Sequence, residues 1–299
     1  MSSTSSAPTT HEAPVTLSVA HCLDEIDHNP IHRAHTAYIV VDVIRATTTL
    51  AVMFEQGARR VLVARDVAAA RNAHPSQPRA ILAGEVNAVA PADFDHGNSP
   101  DEWGRLDLTG SEILFSTTNG ARGLHAAMGG GPVFAGALRN ASAVCADALE
   151  VARHLATAER HGALTIVCAG LGGRPADDDS LCAGWLIQTA QSVAAQAGVT
   201  ARLGPGAQQA LELLAASRRA HDPSGDALPA LWLAAALTDT PAARGVWEVG
   251  LGADIAWCAD VDASTAVPMV AGEDVSRTLL IVERAPADVS SAPLGEELR

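Results

Sequence analysis

Short apolar runs alternate with longer segments of helical periodicity along most of the chain. Runs rich in apolar and β-branched residues predict strands at 15–20, 38–42, 60–64, 80–84, 112–117, 133–136, 164–168, 254–258 and 278–282. Apolar residues with helical spacing predict helices at 46–56, 120–128, 140–160, 178–197 and 207–220. Strands that alternate with helices are typical of a mostly parallel sheet covered on both faces. The predicted fold class is therefore α/β.

The two ends of the chain differ in composition from the middle. Residues 1–13 are rich in Ser and Thr, and residues 285–299 are small, polar or Pro-containing. Such segments bury too little apolar surface to fold, so we predict two disordered tails. The remaining residues, 14–284, are predicted to form one domain.

Charge restricts the classes of function. The formal net charge is −14, whereas a nucleic-acid backbone or an anionic membrane surface requires a basic face. We therefore expect neither partner, and a bound metal cation fits the acidic excess better. The sequence contains no lysine, which excludes Schiff-base chemistry and a Walker phosphate loop.

The five cysteines are an odd number with no C-x-x-C spacing, so we expect reduced, buried thiols. The first residues do not have the basic and apolar segments of a signal peptide, and no apolar run reaches the roughly 18 residues of a membrane span. We expect a cytoplasmic protein with a small-molecule substrate. A homo-oligomer is compatible with the sequence.

The first candidate site is the segment D-V-I-R-A-T-T-T, which begins at Asp42 directly after a predicted strand. A carboxylate suits a hard divalent cation, Arg45 matches phosphate or carboxylate with two hydrogen bonds, and free first-turn amides favour an anion. Consecutive threonines are poor helix formers, so the hydroxyls of Thr47 and Thr48 suggest a binding role. Alone, the segment is equally typical of an ordinary helix start with a surface ion pair.

Two further polar blocks follow predicted strands. The segment S-T-T-N-G-A-R adds Thr117, Thr118, Asn119, Gly120 and Arg122, and the third block adds Glu85, Asn98 and Ser99. Asn119 could instead be a simple helix N-cap, and the Asn-Ser-Pro loop an ordinary turn.

A fourth block supports two rival interpretations. Cys168 and Arg174 have the C-x5-R spacing of cysteine-dependent phosphatases, although the aspartates that follow would raise the pKa of the thiol and repel phosphate. Alternatively, Asp178 or Asp179 is a Mg²⁺ ligand, or simply part of an acidic first helical turn. Because ligands of open α/β sheets gather beyond the carboxyl ends of strands, we expect the four blocks to share one pocket.

Together these blocks resemble the 2-phosphosulfolactate phosphatase family, the ComB-like proteins. The similar segments are V-V-D-V-I-R-A-T-T-T (40–49), G-E (84–85), F-D-H-G-N-S-P (94–100), T-T-N-G-A-R (117–122), N-A-S-A-V (140–144), C-A-G (168–170), D-D-S-L-C-A-G (178–184) and G-A-D-I-A-W-C-A-D (252–260). The resemblance extends from about residue 14 to residue 284. Two positions depart from it: Val86-Asn87 replace an expected basic residue and glycine, and Asp178-Asp179 replace an expected Glu-Asp pair.

The resemblance implies a three-layer α/β/α fold, with a mostly parallel or mixed sheet, and a Mg²⁺-dependent phosphatase of 2-phospho-2-hydroxy acids. It implies 2-phospho-3-sulfolactate as the substrate, although the missing basic residue weakens the case for a sulfonate. The expected catalytic residues are Asp42, Arg45 and Asp178, and the expected Mg²⁺ ligands are Asp42, Glu85, Asp178 and Asp179. The expected substrate-binding residues are Thr47, Thr48, Asn98, Ser99, Thr117, Thr118, Asn119, Gly120, Arg122 and Asn140.

The sequence leaves the attacking group of this reaction open. It is either a metal-bound water or Asp42 itself. The haloacid-dehalogenase version of attack by aspartate is disfavoured, because Ile44 stands where a second Asp is needed and the chain has no lysine. The same blocks are also compatible with a cysteine-dependent reaction, or with a protein that binds the phosphorylated metabolite without hydrolysing it.

Overall fold

Ten strands form one mixed sheet in the computed structural model of the chain, which describes residues 14–289. The strands are β1 (Val15–Ala20), β2 (Thr36–Val41), β3 (Arg60–Ala64), β4 (Ile81–Gly84), β5 (Glu112–Ser116), β6 (Val133–Gly136), β7 (Ala163–Cys168), β8 (Ala201–Leu203), β9 (Pro268–Glu273) and β10 (Leu279–Arg284). The helices are α1 (Pro30–Arg33), α2 (Ala46–Glu55), α3 (Val67–Ala73), α4 (Pro100–Trp103), α5 (Gly120–Ala127), α6 (Ala141–His154), α7 (Asp177–Gln196), α8 (Ala207–His221), α9 (Pro229–Thr238), α10 (Pro241–Glu248) and α11 (Asp254–Ala259).

The sheet consists of two parallel halves joined by an antiparallel hairpin. Its order is β4-β5-β3-β10-β9-β6-β2-β7-β1-β8. Pairing is parallel from β4 to β3 and from β6 to β8, and β9 and β10 pair antiparallel with their neighbours. Every residue of the central strand β2 is buried, as expected for a strand covered by helices on both faces.

Successive side chains of a strand point to opposite faces of the sheet, so neighbouring residues belong to different hydrophobic cores. Ile39 of β2 belongs to the core formed with α6, α7 and α8, whereas Val40 belongs to the core formed with α2 and α5. The second core also contains Val63 of β3 and Phe115 of β5, so both halves of the sheet pack around α2 and α5. The other face of β3 and β5 packs against α3. These layers confirm the predicted α/β/α fold.

Eight of the nine predicted strands are present, namely β1 to β7 and β10. The strand predicted at 254–258 is wrong, because these residues form α11 and bury Asp254, Ile255 and Cys258 at helical spacing. A short apolar run does not by itself distinguish a strand from a helix. The sequence pattern also missed β8, which has only three residues, and β9.

The described chain continues into the predicted C-terminal tail. The Ala285 amide donates to the Val267 carbonyl (2.8 Å), and Val289 is buried in the core that contains α6 to α9. The other residues of the predicted tails, 1–13 and 290–299, lie outside the described range. No helix within residues 14–289 has the length and apolar character that a bilayer span requires.

Candidate active site

Residues from the two halves of the sheet line one cavity of about 350 Å³. Asp42 directly follows β2 and Glu85 directly follows β4, although five strands separate β2 from β4 in the sheet order. The first wall of the cavity consists of loop and strand-end residues, namely Asp42, Ile44, Arg45, Glu85, Asn87, Ala88, Asn98, Thr118, Asn119 and Leu171. The second wall consists of α10 and the residue after it, namely Pro241, Ala242, Gly245, Val246, Glu248 and Val249.

The threonines of the first motif hold the turn that presents Asp42. The Thr47 hydroxyl donates to the Asp42 carbonyl (3.0 Å) and accepts from the Asp42 amide (3.2 Å). The Thr48 hydroxyl donates to the Val43 carbonyl (2.9 Å). Both side chains are fully buried and neither lines the cavity, so the structure places them in support of Asp42.

Asp42 is a buried carboxylate among other carboxylates. Burial raises the pKa of Asp42 to about 7, and the charges of Asp178 and Glu85 contribute, while hydrogen bonds from the amides of Ala46 and Gly120 act in the opposite direction. Gly120 has no room for a side chain, since a Cβ there would lie 2.9 Å from Asp42 Oδ2 and 2.5 Å from the Ala46 Cβ. Close packing of the α5 start against Asp42 therefore requires glycine at this position.

Arg45 is held in the cavity wall by a buried ion pair. Its guanidinium donates to Asp254 Oδ2 (2.9 Å) and to the Ala88 carbonyl (2.9 Å). Asp254 also accepts from the Ser99 hydroxyl (2.5 Å), and Arg45 and Asp254 are only 3% and 1% exposed. The direction of the guanidinium thus depends on Asp254.

Glu85 organises two loops around the cavity. Its carboxylate accepts from the amides of Thr118 (2.7 Å) and Ala88 (2.9 Å). Ala88 lies in a tight turn that Val86 and Val89 close, with a positive φ of 67°, a conformation that is costly for residues with a Cβ. Glu85 and Arg45 together stabilise this turn, because one binds the amide of Ala88 and the other its carbonyl.

The two aspartates at the start of α7 have different environments. Asp179 accepts from the amides of Val43 (3.0 Å) and Gly170 (2.9 Å), one on each carboxylate oxygen. Asp178 Oδ1 is buried, with no hydrogen-bond partner in the described part of the chain. Burial raises the pKa of Asp178 to about 6. Burial also raises the pKa of Asp179, with contributions from the charges of Asp178 and Asp42.

Three buried polar atoms without a partner within residues 14–289 belong to the candidate blocks. They are Asp178 Oδ1, Asn98 Oδ1 and Ser116 Oγ. Asn98 lines the cavity, and Ser116 is the last residue of β5. Asp178 and Ser116 do not line the cavity. Because buried polar groups in proteins nearly always have a partner, Asn98 Oδ1 is the atom of this set that a ligand in the cavity could bind.

The other predicted binding residues divide into two groups. Thr118 and Asn119 line the cavity, and Asn119 makes no side-chain cap bond to α5. Thr117 instead accepts from the Ala121 amide (3.0 Å). Arg122 is exposed and does not line the cavity.

Asn140 has a structural environment away from the cavity. Its side chain accepts from the Ala137 amide (2.9 Å) and donates to the carbonyls of Ala135 (3.3 Å) and Ala266 (2.9 Å). Asn140 is fully buried, and these bonds join the start of α6 to the end of β6 and the segment before β9. The structure does not bring this predicted residue to the cavity.

The environment of Cys168 does not favour a cysteine-dependent reaction. Cys168 is fully buried, and burial, together with the negative charge of Asp179, raises the pKa of its thiol well above the usual range. The Gly170 amide, which a phosphate loop would need, donates to Asp179, and Arg174 is exposed. All five cysteines are free and buried, as predicted.

Sequence reasoning missed Asp254 and the whole of α10. Asp254 belongs to the G-A-D-I-A-W-C-A-D segment. A single acidic residue among small and apolar residues is the sequence feature that indicates a buried carboxylate there. The α10 residues are small or apolar, apart from Arg244 and from Glu248 at the helix end, and nothing in their spacing indicates a cavity wall.

Comparison with known proteins gives one consistent match. A family model described as 2-phosphosulpholactate phosphatase matches residues 21–273. A probable 2-phosphosulfolactate phosphatase from Thermus thermophilus is 38% identical over 245 residues, which cover 80% of this chain and 91% of the relative. A protein of the same name from Deinococcus radiodurans is 33% identical over 239 residues, covering 79% and 89%.

Proposed function

Since the chain belongs to the 2-phosphosulpholactate phosphatase family, we propose that it hydrolyses the phosphate monoester of 2-phospho-2-hydroxy acids. In this reaction the oxygen of water forms a bond to phosphorus, the ester P–O bond breaks, and the products are a 2-hydroxy acid and inorganic phosphate. 2-Phosphosulfolactate, the substrate in the names of the relatives, is the first compound to test.

The observation that carries this proposal is a group of buried carboxylates whose charges interact, of which Asp42 and Glu85 line the cavity together with Arg45. Asp42 and Asp178 have raised pKa values, so each is destabilised as an anion unless a cation or a proton is present. The partnerless Oδ1 of Asp178 adds an oxygen available to a ligand.

Two of these carboxylates are suitable ligands for a Mg²⁺ ion that is coordinated partly by the protein and partly by the substrate phosphate. No group of three or more His, Cys, Asp or Glu side chains within residues 14–289 is arranged to hold a metal ion. Mg²⁺ often uses only one or two protein carboxylates, with water and substrate phosphate as its other ligands. Asp42 and Asp178 would hold the ion. Asp42 accepts from the amides of Ala46 and Gly120, Asp178 Oδ1 has no partner within residues 14–289, and both oxygens of Glu85 and of Asp179 accept from backbone amides. When bound, Mg²⁺ would stabilise the charge that develops on the phosphoryl oxygens.

The residues of the chain supply binding and orientation. Arg45 has N–H groups beyond those that donate to Asp254 and Ala88, and a guanidinium suits a phosphate or carboxylate oxygen. The first-turn amides of Ala46 in α2 and Gly120 in α5 donate to the Asp42 carboxylate, so they position Asp42 and are not free for a substrate anion. Asn98 and Thr118 line the same wall and can hydrogen-bond the substrate.

Phosphate release from 2-phosphosulfolactate, measured with Mg²⁺ and after removal of divalent cations by EDTA, tests the proposal. We expect hydrolysis that EDTA abolishes and Mg²⁺ restores, and a loss of at least about 100-fold in kcat for Asp42→Asn and Asp178→Asn, as is typical of lost electrostatic stabilisation. Cys168→Ala is the matched control and should keep its activity.

Two outcomes would contradict the proposal in different ways. Full activity in EDTA together with an inactive Cys168→Ala variant would favour the cysteine-dependent reaction. Tight binding of phosphorylated 2-hydroxy acids in calorimetry, without release of phosphate, would indicate a metabolite-binding protein instead of an enzyme.

A further inference from the structure

The second wall of the cavity differs in chemistry from the strand-end wall. Most of the residues that α10 presents to the cavity are small or apolar, among them Ala242, Gly245 and Val246. Glu248, the last residue of the helix, is the one charged side chain in this wall among the described residues. The helix therefore offers an apolar surface with an acidic end.

The charges around the cavity do not suit a third anionic group on the substrate, in addition to its phosphate and carboxylate. Three carboxylates line the cavity, those of Asp42, Glu85 and Glu248, against one guanidinium, that of Arg45. Arg45 is already paired with Asp254. A divalent cation near Asp42 could balance the phosphate, but an additional sulfonate near α10 would approach Glu248, and Arg45 is the one basic side chain among the described residues that line the cavity.

We propose that α10 is the specificity element of the site and that it favours acids with a compact, uncharged substituent on the third carbon. This inference rests on the proposed function and narrows its substrate class. The reacting phosphate must lie at the strand-end wall, where Asp42, Glu85 and Arg45 are located. The third carbon and its substituent consequently face α10, and Glu248 disfavours a sulfonate there.

Gly245 provides the space that this substituent would occupy. A Cβ added at Gly245 would meet no atom within 4 Å, so a larger side chain could extend into the cavity without displacing its neighbours. Gly245→Leu should keep or raise the melting temperature, because leucine is a better helix former than glycine. The same variant should lower kcat/KM, which separates a blocked cavity from a damaged fold.

The test compares two substrates that differ only at the third carbon. They are 2-phospholactate, which has a methyl group, and 2-phosphosulfolactate, which has a sulfomethyl group. We expect the wild type to have the higher kcat/KM with 2-phospholactate. Glu248→Arg should raise kcat/KM for 2-phosphosulfolactate by about tenfold, the size of one partly screened charge contact, and change 2-phospholactate by less than about threefold. Glu248→Gln should give an intermediate result.

The possible failures are distinguishable. A wild type that prefers 2-phosphosulfolactate, or a Glu248→Arg variant that changes both substrates equally, would overturn this inference and leave the proposed function intact. Equal activity of Gly245→Leu and wild type on both substrates would also overturn it. If the wild type hydrolyses neither compound, the proposed function fails, and this inference fails with it.

Discussion

Asp178 and Asp179 are adjacent in the chain and similarly buried, yet their carboxylates make different contacts. The oxygens of Asp179 accept from the amides of Val43 and Gly170, which join the ends of β2 and β7 to α7. Asp178 Oδ1 has no partner in the described structure. At the scale of single residues, Asp179 is thus a structural carboxylate, and Asp178 is the one that we propose as a metal ligand.

Substitution by asparagine should separate these two roles. In Asp179→Asn the side chain has one oxygen for two backbone donors, so one amide loses its partner and the free energy of unfolding should fall by about 1 to 3 kcal/mol. Asp178→Asn should be at least as stable as the wild type at pH 8, because it removes a buried charge. Urea denaturation measures both, and an unstable Asp178→Asn with an unaffected Asp179→Asn would reverse the assignment.

At the scale of elements, Asp254 connects three helices that are distant in sequence. It lies at the start of α11 and binds Arg45, next to the start of α2, and Ser99, which caps α4. A buried ion pair adds little net stability, but the loss of one partner leaves an uncompensated charge. The Arg45–Asp254 pair therefore matters mainly because it fixes the guanidinium in the cavity wall.

Asp254→Asn should weaken both the fold and the binding of substrate. We expect a loss of about 2 to 4 kcal/mol in the free energy of unfolding. We also expect kcat/KM to fall by about 10- to 100-fold, which corresponds to a loss of about 1 to 3 kcal/mol of transition-state stabilisation because Arg45 is no longer held in place. Ser99→Ala is the control, because it removes two hydrogen bonds, one to Asp254 and one from the Glu102 amide, and keeps the ion pair. Steady-state kinetics and urea denaturation measure both variants, and similar kinetics for the two variants would show that Asp254 does not position Arg45.

At the scale of the whole molecule, the fold collects carboxylates that repel one another. Both halves of the sheet pack around α2 and α5, and this arrangement brings Glu85 to the cavity that Asp42 lines. The charges of Asp178 and Glu85 contribute to the raised pKa of Asp42. The site thus destabilises the folded protein when no cation is bound, a cost typical of functional sites.

Stability without divalent cations should consequently fall as the pH rises. The pKa values of Asp42 and Asp178 increase from 3.8 to about 7 and about 6 on folding, so the folded state binds more protons than the unfolded state between about pH 4 and pH 7. Their contribution is favourable below this window and is lost as the pH rises through it. Between pH 5 and pH 8 in EDTA, the loss attributable to Asp42 should be on the order of 2 to 4 kcal/mol.

Urea denaturation of the wild type and of Asp42→Asn at both pH values isolates this contribution. The loss should be smaller in Asp42→Asn, because asparagine does not titrate. Added Mg²⁺ should restore stability to the wild type at pH 8 and have less effect on the variant. Identical pH dependence in the two proteins would contradict the raised pKa.

The sequence by itself determined eight of the ten strands and five of the eleven helices within residues 14–289, together with the blocks in which the polar chemistry lies. Eight strands follow from local apolar runs, and Asp42 and Glu85 follow from their positions just after strands. Such features depend on neighbours along the chain, so periodicity and strand ends reveal them. The strand predicted at 254–258 was wrong because a short buried helix has the same local pattern.

Only the tertiary structure decided which of these residues share a cavity and what each side chain contacts. Thr47 and Thr48 bind their own turn, Asn140 joins buried segments, and Asp254 reaches Arg45 across 209 positions of sequence. Partners of this kind depend on how the sheet packs around α2 and α5, and no local spacing encodes that packing. The same is true of α10, whose small residues become a cavity wall only when the helix lies beside the strand ends.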